Sequence, residues 1–94
     1  MILHLGNFKV SKDMVTDGKF NQKLPDIING DFDCSRLKLT TLIGCPIKIK
    51  DSFRAFDNRL TNLEGGPIKV GKDYSINRNK ILSLKGLPKK IKGS

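Results

Sequence analysis

Pro46-Ile47-Lys48-Ile49-Lys50-Asp51-Ser52-Phe53-Arg54-Ala55-Phe56-Asp57-Asn58-Arg59-Leu60-Thr61-Asn62-Leu63-Glu64-Gly65-Gly66 decides how the chain is read, because each of its landmarks returns one period away. All four prolines, Pro25, Pro46, Pro67 and Pro88, stand 21 residues apart. In that register Gly44, Gly65 and Gly86 coincide, as do Leu42, Leu63 and Leu84, and Leu39, Leu60 and Ile81. Phe32, Phe53 and Tyr74 form another column, and Ile28, Ile49, Val70 and Ile91 a further one. A fixed period of roughly 20 to 50 residues signals a solenoid, whose units bury their apolar sides only by stacking.

Inside the repeat, Ser52-Phe53-Arg54-Ala55-Phe56 and Asp73-Tyr74-Ser75-Ile76-Asn77 place apolar residues at every second position. That alternation predicts a short strand with Phe53, Ala55, Tyr74 and Ile76 turned inward. The first copy, Asp31-Phe32-Asp33-Cys34-Ser35, puts Cys34 in the same inward column. Asn58 or Asn79 follows the strand, then Leu60 or Ile81, then Leu63 or Leu84. An asparagine there can bond backbone of the neighbouring coil, while glycine tolerates the tight return and Pro46 and Pro67 pre-set its φ.

The resulting pattern, Phe53-x-Ala55-x-x-Asn58-x-Leu60-x-x-Leu63, resembles the L-x-L-x-x-N-x-L-x-x-L segment of bacterial-type leucine-rich repeats. The strings Leu60-Thr61-Asn62-Leu63-Glu64-Gly65-Gly66-Pro67 and Gly30-Asp31-Phe32-Asp33-Cys34-Ser35 further resemble small leucine-rich-repeat-like proteins of tailed bacteriophages. The resemblance spans residues 24 to 92, although Leu37 replaces the asparagine in the first copy. It implies a mostly β, short solenoid with one short strand per 21-residue repeat, and a phage accessory protein that acts in the host cytoplasm.

Sliding back one period from Leu39 and Leu42 lands on Gly18 and Asn21, so the apolar columns break there. Residues 1–23 therefore read as an N-terminal cap, with Phe8-Lys9-Val10 and Met14-Val15 as short strands and Asp17-Gly18 as a turn. Residues 24–94 hold three repeats and a truncated fourth, all one domain. That fourth unit stops before its strand, which leaves the strand at 73–77 with an open edge. Either a second copy or a partner strand pairs with it, or Lys89, Lys90 and Lys92 fold over it. Gly93-Ser94 reads either as native sequence or as an added tail.

Net charge is +9, and it is uneven: residues 1–47 hold six Lys/Arg against five acids, residues 48–94 twelve against four. Such asymmetry points to an acidic partner. No apolar run approaches the ~18 residues of a membrane span, and the opening Met-Ile-Leu-His-Leu-Gly lacks the features of a signal peptide. Two cysteines without such a signal fit a reducing compartment, the cytosol.

Several chemistries are excluded by their own requirements. Gly66-Pro67-Ile68-Lys69-Val70-Gly71-Lys72-Asp73 nearly matches a phosphate-binding loop, but Asp73 supplies no hydroxyl and begins a strand. Asp31-x-Asp33-x-Ser35 opens like a calcium loop, yet Arg36 and Leu42 stand where glycine and glutamate are needed. His4 is the sole histidine, and Cys34 and Cys45 are expected on opposite sides of one coil, so neither a disulfide, a metal, a cofactor nor a catalytic centre is expected.

Two candidate surfaces remain. The first is a pair of basic columns, Lys38, Arg59 and Lys80 at one repeat position and Lys48, Lys69 and Lys90 at another. The second is the outward strand face, which leucine-rich repeats use for binding: Asp31, Asp33 and Ser35, then Ser52, Arg54 and Phe56, then Asp73, Ser75 and Asn77. Phe56 beside Arg54 has the composition of a protein-binding hot spot. The expectation is a non-enzymatic module that binds an acidic host or defence protein through Arg54, Phe56 and their neighbours. The alternative is phosphate-led nucleic-acid binding by the basic columns.

Overall fold

The computed structural model describes residues 1–91; Lys92 and the Gly93-Ser94 tail lie outside the described residues. The strands are β1 (Leu3–Leu5), β2 (Phe8–Lys9), β3 (Val15–Thr16), β4 (Lys19–Phe20), β5 (Ile27–Asn29), β6 (Phe32–Asp33), β7 (Lys48–Ile49), β8 (Phe53–Arg54), β9 (Lys69–Val70), β10 (Tyr74–Ser75) and β11 (Lys90–Ile91). All but β3 and β4 stack in parallel into a β-solenoid of four coils and the start of a fifth, with two sheets ordered β1-β5-β7-β9-β11 and β10-β8-β6-β2. No helix among the described residues is long and apolar enough to cross a membrane.

Each coil thus carries two strands where the alternation predicted one. The additional strand buries a single residue per coil, Ile49 or Val70, beside an exposed lysine. One inward residue is too short a run for alternation to register, and only the β-branched column announces it.

The segment read as a cap carries its own pair of coil strands. Leu3 pairs with Ile27 and Phe8 with Phe32, an offset of 24 residues instead of 21. The extra length goes into a 3-10 turn at Lys12–Met14 and the antiparallel β3–β4 hairpin.

The stacking shows most plainly in the core. Phe8, Phe32, Phe53 and Tyr74 form a ladder of parallel rings with centroids 5.8, 5.9 and 5.2 Å apart. Leu39, Leu42, Leu60 and Leu63 are fully buried beside it. The returns are just as tight: Gly65 has a φ of 86°, and a Cβ there would lie 2.4 Å from Ile43 Cα. A side chain at Gly65 is excluded twice, by conformation and by the coil below.

Asparagines tie coil to coil. Asn58 is buried; its Oδ1 accepts the N–H groups of Leu37 and Leu39, and its Nδ2 donates to the carbonyls of Cys34 and Ala55. Asn79 repeats the arrangement one coil on, accepting from Leu60 and donating to Ala55 and Ile76.

Both cysteines are free, and the placement expected for them is corrected. The Cys45 thiol lies against that of Cys34 in the interior, so the two do not occupy opposite sides of the coil. Burial, then the Cys34 thiol, pushes the Cys45 thiol well above the usual range. Cys45 is half-buried and packs against the core cluster that includes Cys34. Burial likewise raises the Tyr74 phenol, whose buried Oη has no hydrogen-bond partner.

Candidate anion-binding face

The β7, β9 and β11 register sets Lys48 directly opposite Lys69, and Lys69 opposite Lys90. Alternation about the buried Ile49 and Val70 turns all three lysines to solvent, where they line a groove of about 370 Å³ with Lys50 and Gly71. Gly71 lines the groove at a position closed to side chains, since a Cβ there would lie 1.8 Å from the Lys50 carbonyl oxygen. Lys50 was not singled out from the sequence, since Gly71 interrupts its column between Lys50 and Lys92.

None of these four lysines has an acidic partner among the described residues. The ion pairs run elsewhere, between Arg36 and Asp57, Arg54 and Asp31, Lys72 and Asp51, and Lys85 and Glu64. Like charges opposite one another on neighbouring strands repel, by about 1 kcal/mol at ~5 Å in water. The face therefore keeps an uncompensated positive field that an anion would relieve.

The second basic column is equally exposed but less pure. Lys38 and Arg59 share a groove of about 340 Å³ with Asp57, Asn58 and Arg36, and Lys80 continues the column on the next coil.

The outward face of β6, β8 and β10 is built differently from its expected role. Ser52, expected as a contact residue, is 5% exposed, and its Oγ accepts the Asp73 N–H. It belongs to a ladder of side-chain acceptors: Asn7 accepts from Asp31 N–H, Asp31 from Ser52 N–H, and Ser52 from Asp73 N–H. These acceptors differ in type from coil to coil, so no repeated letter betrays them. Arg54 is held 3.2 Å from Asp31. The Ser52 N–H and the Arg54 guanidinium hold the Asp31 carboxyl below its ordinary value.

Phe56 is half-buried, with the Arg36 guanidinium 5.3 Å above its ring. Beside it runs a groove of about 250 Å³ lined by Lys9, Val10, Lys12 and Leu37, next to Asp33 and Ser35. Ser75 is half-buried, and Asp73 and Asn77 are exposed at the last coil. The structure thus gathers Lys48, Lys69 and Lys90 into one continuous face, separate from the Lys38 and Arg59 groove, and engages Asp31 and Ser52 in internal bonds.

No protein-family model, curated protein or solved structure matches this chain.

Proposed function

We propose that this solenoid is a non-enzymatic binding protein for nucleic acid, which it holds through the phosphates along Lys48, Lys69 and Lys90. The observation that carries the reading is the in-register, acid-free lysine ladder over Gly71. Lysine ammonium groups on flexible stems act as point charges for phosphate, so such contacts position a backbone without reading bases. Binding is weakly sequence-selective and strongly salt-dependent.

The test is fluorescence anisotropy of a labelled twenty-nucleotide single strand, titrated across a salt series. Three lysines on three phosphates give a slope of log K against log salt near −2, at about −0.7 per phosphate. The triple variant K48E/K69E/K90E, altered only at exposed positions, is expected to lose binding at least tenfold while keeping its melting temperature. Unchanged binding in that variant would sink the proposal.

A second reading rests on the Phe56 groove, whose apolar floor and basic rim suit an acidic protein surface. The resemblance to phage proteins supplies its context, an accessory factor that inhibits or redirects a host or defence protein. Here Phe56→Ala weakens the protein complex by about 2 kcal/mol and leaves nucleic-acid binding untouched.

A further inference from the structure

The lysine ladder has an apolar neighbour. One residue before Lys48 and Lys69 stand Ile47 and Ile68, 44% and 45% exposed, whereas Ile49 and Val70, one residue after those lysines, are buried. The Ile68 N–H donates to the Ile47 carbonyl, which stacks the two isoleucines on adjacent coils. With Ile27 and Met1 they line a groove of about 250 Å³ whose remaining walls are Lys48 and Lys69. The same two lysines line the basic groove that holds Lys50 and Gly71. Along the strand direction, Lys48 and Lys69 thus form a ridge with a cationic groove on one side and an aliphatic groove on the other.

The apolar stripe is short and lateral. Its column holds Asp26 on the preceding coil, whose carboxylate accepts the Ile2 N–H, and Lys89 on the following one. Strands β7 and β9 are inner strands of their sheet, so Ile47 and Ile68 lie on the side of the stack, where a further coil at either end would not cover them.

A polyanion that suits such a ridge carries an apolar surface beside each charge. In a single nucleic-acid strand every phosphate is accompanied by an unpaired base whose flat faces are open to water. In a duplex those faces are stacked on one another, and sugar and groove water flank the phosphate row instead. A duplex on the lysines therefore leaves the isoleucines wet, whereas the bases of a single strand cover them and remove apolar surface from water. Isoleucine packs on a base face without choosing among hydrogen-bond patterns, so little sequence selectivity follows.

We infer that the ladder face takes single-stranded nucleic acid in preference to duplex, an inference that rests on the phosphate-binding reading above and names the form of its ligand. The strand runs along the stack, across β7 and β9, with phosphates on Lys48 and Lys69 and bases turned into the Ile47 and Ile68 groove. Neighbouring coils lie ~4.8 Å apart, and the flexible lysine stems take up the difference from the longer nucleotide repeat.

The test titrates three labelled probes by anisotropy at one salt concentration: a thymidine strand of twenty nucleotides, the same strand without its bases, and a duplex of equal length. The complete strand is expected to bind at least about tenfold more tightly than either of the others, the scale of a base contact. I47S/I68S, altered at exposed positions, should bring the complete strand to the abasic level and leave the abasic strand unchanged. K48E/K69E should weaken all three. Abasic or duplex binding as tight as that of the complete strand would overturn the inference and leave the phosphate reading standing, and this wild-type comparison decides even where a variant folds poorly. Wild-type binding of all three probes by I47S/I68S would overturn it likewise. Unchanged binding by K48E/K69E would remove the phosphate reading together with the inference. Tighter, isoleucine-dependent binding to phosphatidylserine vesicles would assign the face to a membrane surface instead.

Discussion

The coil around Phe53 and the coil around Tyr74 are written in nearly the same letters and hold different structural ranks. Leu63 is sealed and Leu84 lies in water; Asn58 is buried and Asn79 only half so. The difference is that one coil has a neighbour on each side among the described residues. Core membership in a solenoid is therefore conferred by the adjacent coil, not by the residue type. Stability should be concentrated where a coil is covered on both sides.

The largest expected effect tests that directly. Leu63→Ala removes a fully buried side chain and is expected to cost about 2 to 5 kcal/mol in urea unfolding. Leu84→Ala, chemically identical, is expected to cost about 0.5 kcal/mol or less. Equal costs would show that the last coil is packed as well as the middle one, and the comparison would fail.

The asparagines sharpen it at smaller scale. Asn58→Ala orphans the Leu37 and Leu39 N–H groups and the Cys34 carbonyl at a buried site, while the Ala55 carbonyl keeps Asn79 as a donor. The expected cost is about 2 to 3 kcal/mol, against about 1 for Asn79→Ala, where solvent reaches the freed groups. A reversed order would place the critical tie at the end of the stack.

The repeat was legible because proline, glycine and leucine answer to constraints that recur in every coil: a fixed φ, a close approach, a filled interior. Leu3 was hidden, and Phe8, read as a strand residue, was left out of the aromatic column, because the first coil is three residues longer and the 21-residue register set Gly18 and Asn21 where apolar partners were sought. The strand at Lys48–Ile49 left too short an alternation to see. Of the candidate face, the lysine columns were plain in the sequence. That Lys48, Lys69 and Lys90 line one groove with Gly71 depended on a strand the alternation missed. The misplacement of Ser52 has a related origin, since alternation gives the side of the sheet and says nothing of whether the next coil's N–H claims the hydroxyl.

The smallest effect concerns that acceptor ladder. Asp31 takes an N–H from Ser52 and faces Arg54, both from the following coil, whereas Asp73 has no described coil beyond it. The Asp31 carboxyl is held below its ordinary value of 3.8, so the unfolded chain binds its proton at higher pH than the folded one. Its stabilising share is fully present above 3.8 and is lost as the pH falls through the lowered folded value. Wild type should therefore exceed Asp31→Asn in urea midpoint at about pH 7, with the gap narrowing as the pH falls below 3.8. A gap that failed to narrow would show that the Asp31 carboxylate contributes nothing to stability through its charge.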